Sequence, residues 1–322
     1  MKILVTGGAG FIGSHTVKKL IKLGHHVVIV DNFNDYYDPR LKEDRIKILL
    51  KGLKFKLYRL DIADYKKLEK VFKKERFDKI IHLAAQAGVR YSLTHPFVYE
   101  RSNILGTLNL LELCRHYKVR DFIFASTSSV YGNSRQYPCR EDSRTDQPIS
   151  LYSATKKADE VLAYAYHHLY GLRCVALRFF NVYGIWDRPD LALPKFIRNI
   201  LADKPVEIYG RGQMSRDFTH INDIVEGIVA VVRKSFKYEI FNLGRSHPEK
   251  LMDFIKMIEK YLGKKAKKKM MPMQAGDVRA TWADVSKARR LLGYRPKVKI
   301  RDGIREYVEW YREYYKNKTG RG

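Results

Sequence analysis

Lys2-Ile3-Leu4-Val5-Thr6-Gly7-Gly8-Ala9-Gly10-Phe11-Ile12-Gly13 opens the chain with a short apolar strand, a glycine turn and the start of a helix. Helical periodicity continues from Phe11 to Leu23, Gly24 stops it, and His26 to Val30 reads as a second strand. The result is one βαβ unit. Gly7, Gly10 and Gly13 let the backbone turn tightly and approach a pyrophosphate, whose charge then sits on the helix N-terminus, with Phe11 and Ile12 in its first turn. A turn or helix cap also uses glycines. What singles out a dinucleotide is the order strand, turn, helix, strand, acid: Asp31 follows Gly13 by eighteen residues and ends the second strand. Its carboxylate can accept from a ribose 2′-hydroxyl and would repel a 2′-phosphate, so NAD is expected rather than NADP.

Further strand-like runs follow at Phe55 to Leu60, Lys79 to Ala84, Asp121 to Ala125 and Cys174 to Phe180, separated by long helical patterns. Such alternation predicts an α/β fold with a doubly wound parallel sheet. Beyond about Ile185 the pattern breaks into shorter pieces at Pro189, Pro194, Pro205, Gly210, Gly212, Pro248, Pro272, Gly276 and Pro296. The expectation is a dinucleotide-binding domain over 1–184, rejoined by 215–245 through a buried strand at Ile240 to Leu243. Residues 185–322 are expected to form mostly a smaller α/β lobe for substrate.

The 322 residues carry 62 Lys and Arg against 35 Asp and Glu, a formal charge of +27, with 45% hydrophobic residues. Such a chain can build an aqueous core, and no stretch approaches a membrane span. The charge raises nucleic acid as a partner, most of all at Lys264-Lys265-Ala266-Lys267-Lys268-Lys269. The remaining basic residues are interleaved with acids and no nucleic-acid motif accompanies them, so that run reads as a solvated loop and no nucleic-acid partner is expected. Cys114, Cys139 and Cys174 have neither disulfide nor zinc spacing. With no room for a leader before the first strand, a cytoplasmic protein is expected. The histidines have no ligand spacing, so no metal is expected.

Tyr152 and Lys156 lie four apart on a helical pattern running to Tyr170. Among 22 tyrosines the same spacing recurs at Tyr261 and Tyr314, so it proves nothing alone. Tyr152 differs because Ser126-Thr127-Ser128-Ser129 ends the preceding strand, where doubly wound sheets bind ligands. A free tyrosine has a pKa near ~10, and an adjacent ammonium favours its phenolate, making a base near neutrality.

With Thr6 to Gly13, Asp61-Ile62, His82-Leu83-Ala84-Ala85, Asn103, Thr127 to Gly132, Tyr152 with Lys156, and Arg216-Asp217-Phe218, the chain resembles the extended short-chain dehydrogenase/reductases nearly end to end. Within them it is similar to the nucleotide-sugar 4-epimerases. The resemblance implies Thr127, Tyr152 and Lys156 as catalytic residues. It implies cofactor contacts from Asn32, Asp61, Ile62, Leu83, Ala84, Ala85 and Asn103, and UDP contacts from Arg90, Arg216 and Asp277. Related 4,6-dehydratases follow the threonine with Asp-Glu, and UDP-glucuronate decarboxylases carry Glu at the position of Ser129. Here Ser128 and Ser129 stand instead, and a 4-epimerase needs neither acid.

Gln86 to Ser92 and Trp186 to Leu193 look like UDP-glucuronate 4-epimerases. In that reading Arg188 pairs a C6 carboxylate as a bidentate fork, helped by Ser128 and Ser129. Asn181 departs toward neutral-sugar epimerases, whereas Gln274 points back toward glucuronate. UDP-glucose and UDP-N-acetylglucosamine epimerases stay open as alternatives, followed by decarboxylase, dehydratase and non-catalytic sensor readings. The helical patterns Phe97 to Tyr117 and Ser153 to Tyr170 resemble the pair that forms a four-helix homodimer interface in this family.

Overall fold

The computed structural model describes residues 1–134 and 136–319. Chain order is β1 (Lys2–Thr6), α1 (Phe11–Lys22), β2 (His26–Asp31), α2 (Arg40–Asp44), β3 (Lys56–Arg59), α3 (Tyr65–Glu75), β4 (Lys79–His82), α4 (Pro96–Tyr99), α5 (Gly106–His116), β5 (Asp121–Thr127), α6 (Leu151–Tyr170), β6 (Arg173–Phe179) and β7 (Asn181–Tyr183). It continues with α7 (Ala192–Leu201), β8 (Val206–Ile208), β9 (Ser215–Arg216), β10 (Phe218–His220), α8 (Ile221–Val232), β11 (Tyr238–Leu243), β12 (Glu249–Lys250), α9 (Leu251–Leu262), β13 (Lys268–Met270), α10 (Ser286–Leu292) and α11 (Ile300–Thr319). Seven strands form one parallel sheet in the order β11-β6-β5-β4-β1-β2-β3. Alternate residues feed opposite faces, as the pleat requires. Ile3, Val5, Ile29 and Val175 pack under α1 and α8, while Leu4, Val28, Phe122 and Ala176 pack under α3 and α5.

The sheet borders expected from sequence hold to within a few residues, and β11 pairs with β6 as the last edge strand. The sheet's core also draws on a later segment. Ala283, Val285, Ala288, Leu292 and Tyr294 also pack against the sheet, so a second return follows residues 215–245. The remaining lobe has its own core of Phe196, Ile197, Val206, Phe254, Ile258, Ile304 and Tyr307. Residues 320–322 of the expected lobe lie outside the described residues. The lysine run is not simply a solvated loop. Lys268 and Lys269 lie in β13, paired to β8, and Glu259 receives Lys268, Lys265 and the Ala266 N–H. Among the described residues no helix is long and apolar enough to cross a membrane.

Sheet and lobe are joined at a buried arginine that the sequence reading did not single out. Arg45, wholly buried, donates from Nη1 to the Ala9 carbonyl in the glycine turn at 3.2 Å and to the Tyr37 hydroxyl at 2.6 Å. Its Nε and Nη2 reach the Trp186 carbonyl at 2.9 and 2.7 Å, and Nη2 also reaches the Asp187 carbonyl at 3.2 Å. Trp186 sits at φ +66°, a left-handed conformation that costs a bulky residue about 1–3 kcal/mol. The two bonds to its carbonyl help hold it there. Removing the guanidinium leaves buried acceptors unmatched, at about 1–3 kcal/mol each. Arg45→Met is therefore expected to lower the thermal midpoint by several degrees at least. Differential scanning calorimetry checks this, and an unchanged midpoint would refute the joint.

Candidate active site

The C-terminal ends of β1, β2, β4, β5, β6 and β7 open onto one cleft of about 410 Å³. At one end stands the glycine turn. Gly7 has φ +67°, and a Cβ there would lie 2.7 Å from the Ala84 nitrogen. A Cβ on Gly13 would lie 2.0 Å from the Gly7 carbonyl oxygen, so only glycine lets the turn close over the start of α1. Gly10 caps α1 without a side chain, and the first turn of α1 holds no acid. The N–H groups and positive dipole end thus remain available to an anion. This cradle fits a dinucleotide pyrophosphate.

Of the residues expected at the cofactor, Gly7, Gly10, Phe11, Ile12, Gly13, Asp31, Asn32, Asp61, Ile62, Leu83, Ala84 and Ala85 line the cleft. Asp31 is held by three donors: the Ala9 N–H at 3.1 Å, the Phe33 N–H at 2.9 Å and Lys42 Nζ at 3.2 Å. Lys42 also donates to the Asn34 side chain at 2.9 Å and is itself buried. Sequence reasoning missed this lysine, because no spacing rule ties α2 to the end of β2.

Asn103 does not line the cleft. Its amide donates to the Gln86 carbonyl at 3.1 Å and to the Thr155 hydroxyl at 2.9 Å, and its oxygen accepts the Gln86 N–H at 2.8 Å. With its donors and acceptor so engaged, it ties the loop after β4 to α6. The bonds its side chain makes are thus to Gln86 and Thr155.

The capping box of α6 explains how the Tyr152 and Lys156 side chains are placed. Ser150 Oγ accepts the Ser153 N–H at 3.2 Å, and Ser153 Oγ accepts the Ser150 N–H at 3.1 Å. That fixes the first turn, and Tyr152 and Lys156 enter the cleft one turn apart. Tyr99 packs edge-on against Tyr152, ring centroids 6.2 Å apart. Lys156, almost fully buried, donates to Asp159 Oδ2 at 2.8 Å. Thr127 ends β5. Its hydroxyl accepts the Ser129 N–H at 3.2 Å and donates to Ser129 Oγ at 3.2 Å, and Ser128 completes this wall of the cleft.

At the other end lie Asn181 and Arg188. Asn181 accepts from the Thr281 hydroxyl at 2.8 Å. One edge of Arg188 is already engaged within the protein. Its Nε and Nη2 donate to Asp190 at 2.9 and 2.8 Å, and Tyr36 donates to the same carboxylate at 3.2 Å. Burial pushes Asp190 toward protonation, but the guanidinium more than offsets it and holds the carboxyl below its ordinary range. Burial, with Asp190 behind it, raises the Tyr36 phenol to about 12. Arg90, Arg216 and Asp277 form a separate cluster beside the cleft, with Asp277 3.1 Å from Arg216 and 3.7 Å from Arg90.

Residues 4–307 match the family described as GDP-mannose 4,6 dehydratase. The chain belongs to this family. Its extended short-chain dehydrogenase/reductase fold is shared with a Bacillus cereus UDP-glucuronic acid 4-epimerase solved in complex with UDP-glucuronic acid and NAD. The two are 40% identical with a TM-score of 0.92, covering 98% of this chain and 100% of that one. A Thermodesulfobacterium geofontis UDP-glucuronate 4-epimerase is 46% identical over 311 residues, 96% of each chain. A Thermotoga maritima UDP-glucose 4-epimerase solved with UDP-glucose is 33% identical with a TM-score of 0.89, covering 98% of this chain and 100% of that one. The family's dehydratase name does not carry over to the chemistry here, because serines stand where the dehydratase acid pair would be.

The Asp31 to Lys42 pair yields a prediction about cofactor choice. Asp31→Ser removes the charge that repels a 2′-phosphate and leaves the Lys42 ammonium to meet it. NADP affinity relative to NAD is expected to rise roughly tenfold or more, about 1.4 kcal/mol. Calorimetric titration with both nucleotides reads it, and an unchanged ratio would show that Lys42 does not face the ribose.

Proposed function

We propose that this protein is an NAD-dependent UDP-glucuronate 4-epimerase, forming UDP-galacturonate. The observation that carries this reading is one cleft holding a dinucleotide cradle, Thr127, Tyr152 and Lys156, and Arg188, with serines in place of lyase acids. The glycine turn, Asp31 and the loop from Leu83 to Ala85 would hold the NAD. When bound, NAD supplies an acceptor that takes the C4 hydride and gives it back. Tyr152 takes the 4-hydroxyl proton as a phenolate and later returns it. Lys156 keeps positive charge beside that phenolate, and Thr127 positions the 4-oxygen. Turning of the 4-keto sugar exposes its opposite face to hydride return, which inverts C4.

The 4-keto intermediate of glucuronate is a β-keto acid and loses carbon dioxide when its carboxylate aligns with the carbonyl. Ser128, Ser129 and Arg188 hold that carboxylate out of alignment. Because the Nε and Nη2 edge of Arg188 already serves Asp190, its remaining N–H donors, two on Nη1 and one on Nη2, are left to face the substrate carboxylate. Asn181 faces a sugar hydroxyl or a phosphate oxygen, and the Arg90, Arg216 and Asp277 cluster meets UDP. The buried free thiols of Cys114, Cys139 and Cys174 suit a reducing cytoplasm.

The chain works as a homodimer. Phe97 is 82% exposed and Val161 57%, and Val98, Tyr164, Leu169 and Tyr170 are also exposed on α4 and α6, which pack side by side. A second copy laying the same helices against them buries this surface by a self-complementary contact. Val161→Asp with Phe97→Asp is expected to convert a dimer to a monomer in light scattering coupled to size exclusion. An unchanged mass would place the contact elsewhere.

Proton NMR of the purified protein with UDP-glucuronate, UDP-glucose or UDP-N-acetylglucosamine in separate tubes tests the function. UDP-galacturonate from the first tube is expected, and a UDP-pentose there would refute the non-decarboxylating assignment. Galacto products from the neutral sugars alone would make Asn181 the guide to specificity. Arg188→Ala is expected to cut UDP-glucuronate turnover by roughly 10- to 100-fold, the worth of a lost charged hydrogen bond, with far less effect on oxidation of a neutral sugar. Equal losses would remove Arg188 from carboxylate recognition.

A further inference from the structure

Lys156 is 2% exposed, and a buried ammonium requires a counter-charge to stay ionised. The structure supplies one from the same helix. Asp159, with no exposed surface, accepts from Lys156 Nζ through Oδ2 at 2.8 Å, and the Thr107 hydroxyl also faces its carboxylate. The other polar groups around the pair do not take this place. Glu160, the next residue on α6, is occupied by Arg178 at 2.8 and 2.9 Å and by Ser126 at 2.6 Å. From β4, His82 bonds Thr6 at 2.7 Å and, from α5, Thr107 at 3.0 Å. Burial and the Lys156 charge both hold that imidazole neutral. Tyr99, from α4, packs on Tyr152 and donates to the Ala87 and Gly88 carbonyls. Asp159 is thus the carboxylate that meets Lys156 among the described residues.

We propose that Asp159 is a positioning residue for the reaction: it pins the Lys156 ammonium in one place and opposes the pull that this ammonium exerts on the Tyr152 proton. The inference deepens the function proposed above and rests on Tyr152 being the base. It adds no bond-making step. The 4-hydroxyl proton still passes to the Tyr152 oxygen and the hydride still leaves C4. What Asp159 changes is the pH at which the phenol can take that proton. Burial raises the Asp159 carboxyl above its ordinary value, and the charge and hydrogen bond of Lys156 draw it part of the way back. With the aspartate ionised, the field at Tyr152 is that of an ion pair rather than a bare cation. Removing the negative charge stabilises the phenolate, so the phenol ionises at lower pH.

The test is Asp159→Asn, which keeps the shape and removes the charge. Two readouts are made on the purified full-length protein. The first needs no sugar: phenolate ultraviolet absorbance is titrated against pH, with Tyr152→Phe subtracted in each background to isolate one phenol among 22. Ionisation of Tyr152 is expected to move down by roughly one pH unit, as a unit charge about two helical turns away in a partly polar interior implies. The second readout is the acid limb of kcat with UDP-glucuronate, which should move the same way. A fall in kcat with both profiles unmoved would overturn the proposal and leave Asp159 a structural residue. If Asp159→Asn does not fold, Asp159→Ser, which leaves room for water, is read by the same criteria. Failure of both to fold would also overturn it. A parent protein inactive on every sugar, with the phenolate still shifting in the variant, would refute the substrate reading and with it Asp159's role in that reaction, leaving only its electrostatic hold on Tyr152.

Discussion

The Arg45 guanidinium bonds the glycine turn through Ala9 and the entrance of the sugar side through Trp186 and Asp187. The cleft exists as one space because these two segments keep a fixed separation. Every acceptor but one is a backbone carbonyl, so the geometry holds the chain itself and not merely neighbouring side chains. Asp187 continues the connection. Its carboxyl accepts from Tyr307 of α11 at 2.6 Å, linking the last long helix to the same point. The left-handed Trp186 is tolerated because its surroundings determine it from several directions.

The glycine turn, the alternation of strands and helices, and the pairing of Tyr152 with Lys156 were all legible in the sequence. Each rests on a local rule: a turn that only glycine can make, a pleat of period two, a helix of period 3.6. The capping box was equally local, and it moved the start of α6 back to Leu151 from the expected Ser153. What the sequence left hidden depends on segments far apart in the chain. Nothing near Arg45 announces Trp186, and nothing near Asp31 announces Lys42. Asn103 was assigned to the cofactor from its place in a family pattern, and only three dimensions show its amide committed to Gln86 and Thr155. Asp159 is the exception, since an acid three residues beyond a lysine on one helix face is a readable pair.

Charge in the cleft follows a common plan. Three of the charged groups that touch it are matched by a partner of opposite sign: Asp31 by Lys42, Arg188 by Asp190, Lys156 by Asp159. A net charge of +27 on the whole chain therefore does not translate into a bare cationic pocket. The long-range field draws anions toward the protein. Recognition at short range falls to paired groups whose remaining valences point one way. In the lobe, Glu259 treats the lysine run similarly, holding several of its members at a strand edge.

The strand order has a bearing on how the protein is made. β11 closes the sheet beside β6, yet it lies at residues 238–243, after the chain has made its excursion through β7, α7, β8, β9, β10 and α8. During synthesis β6 therefore emerges with an unpaired edge and keeps it until roughly three-quarters of the polypeptide has been made. Open strand edges are the usual route to aggregation. The interleaving that gives the enzyme one rigid cleft thus imposes a vulnerable interval on the nascent chain, and cells producing it must either translate through that interval quickly or shield the edge.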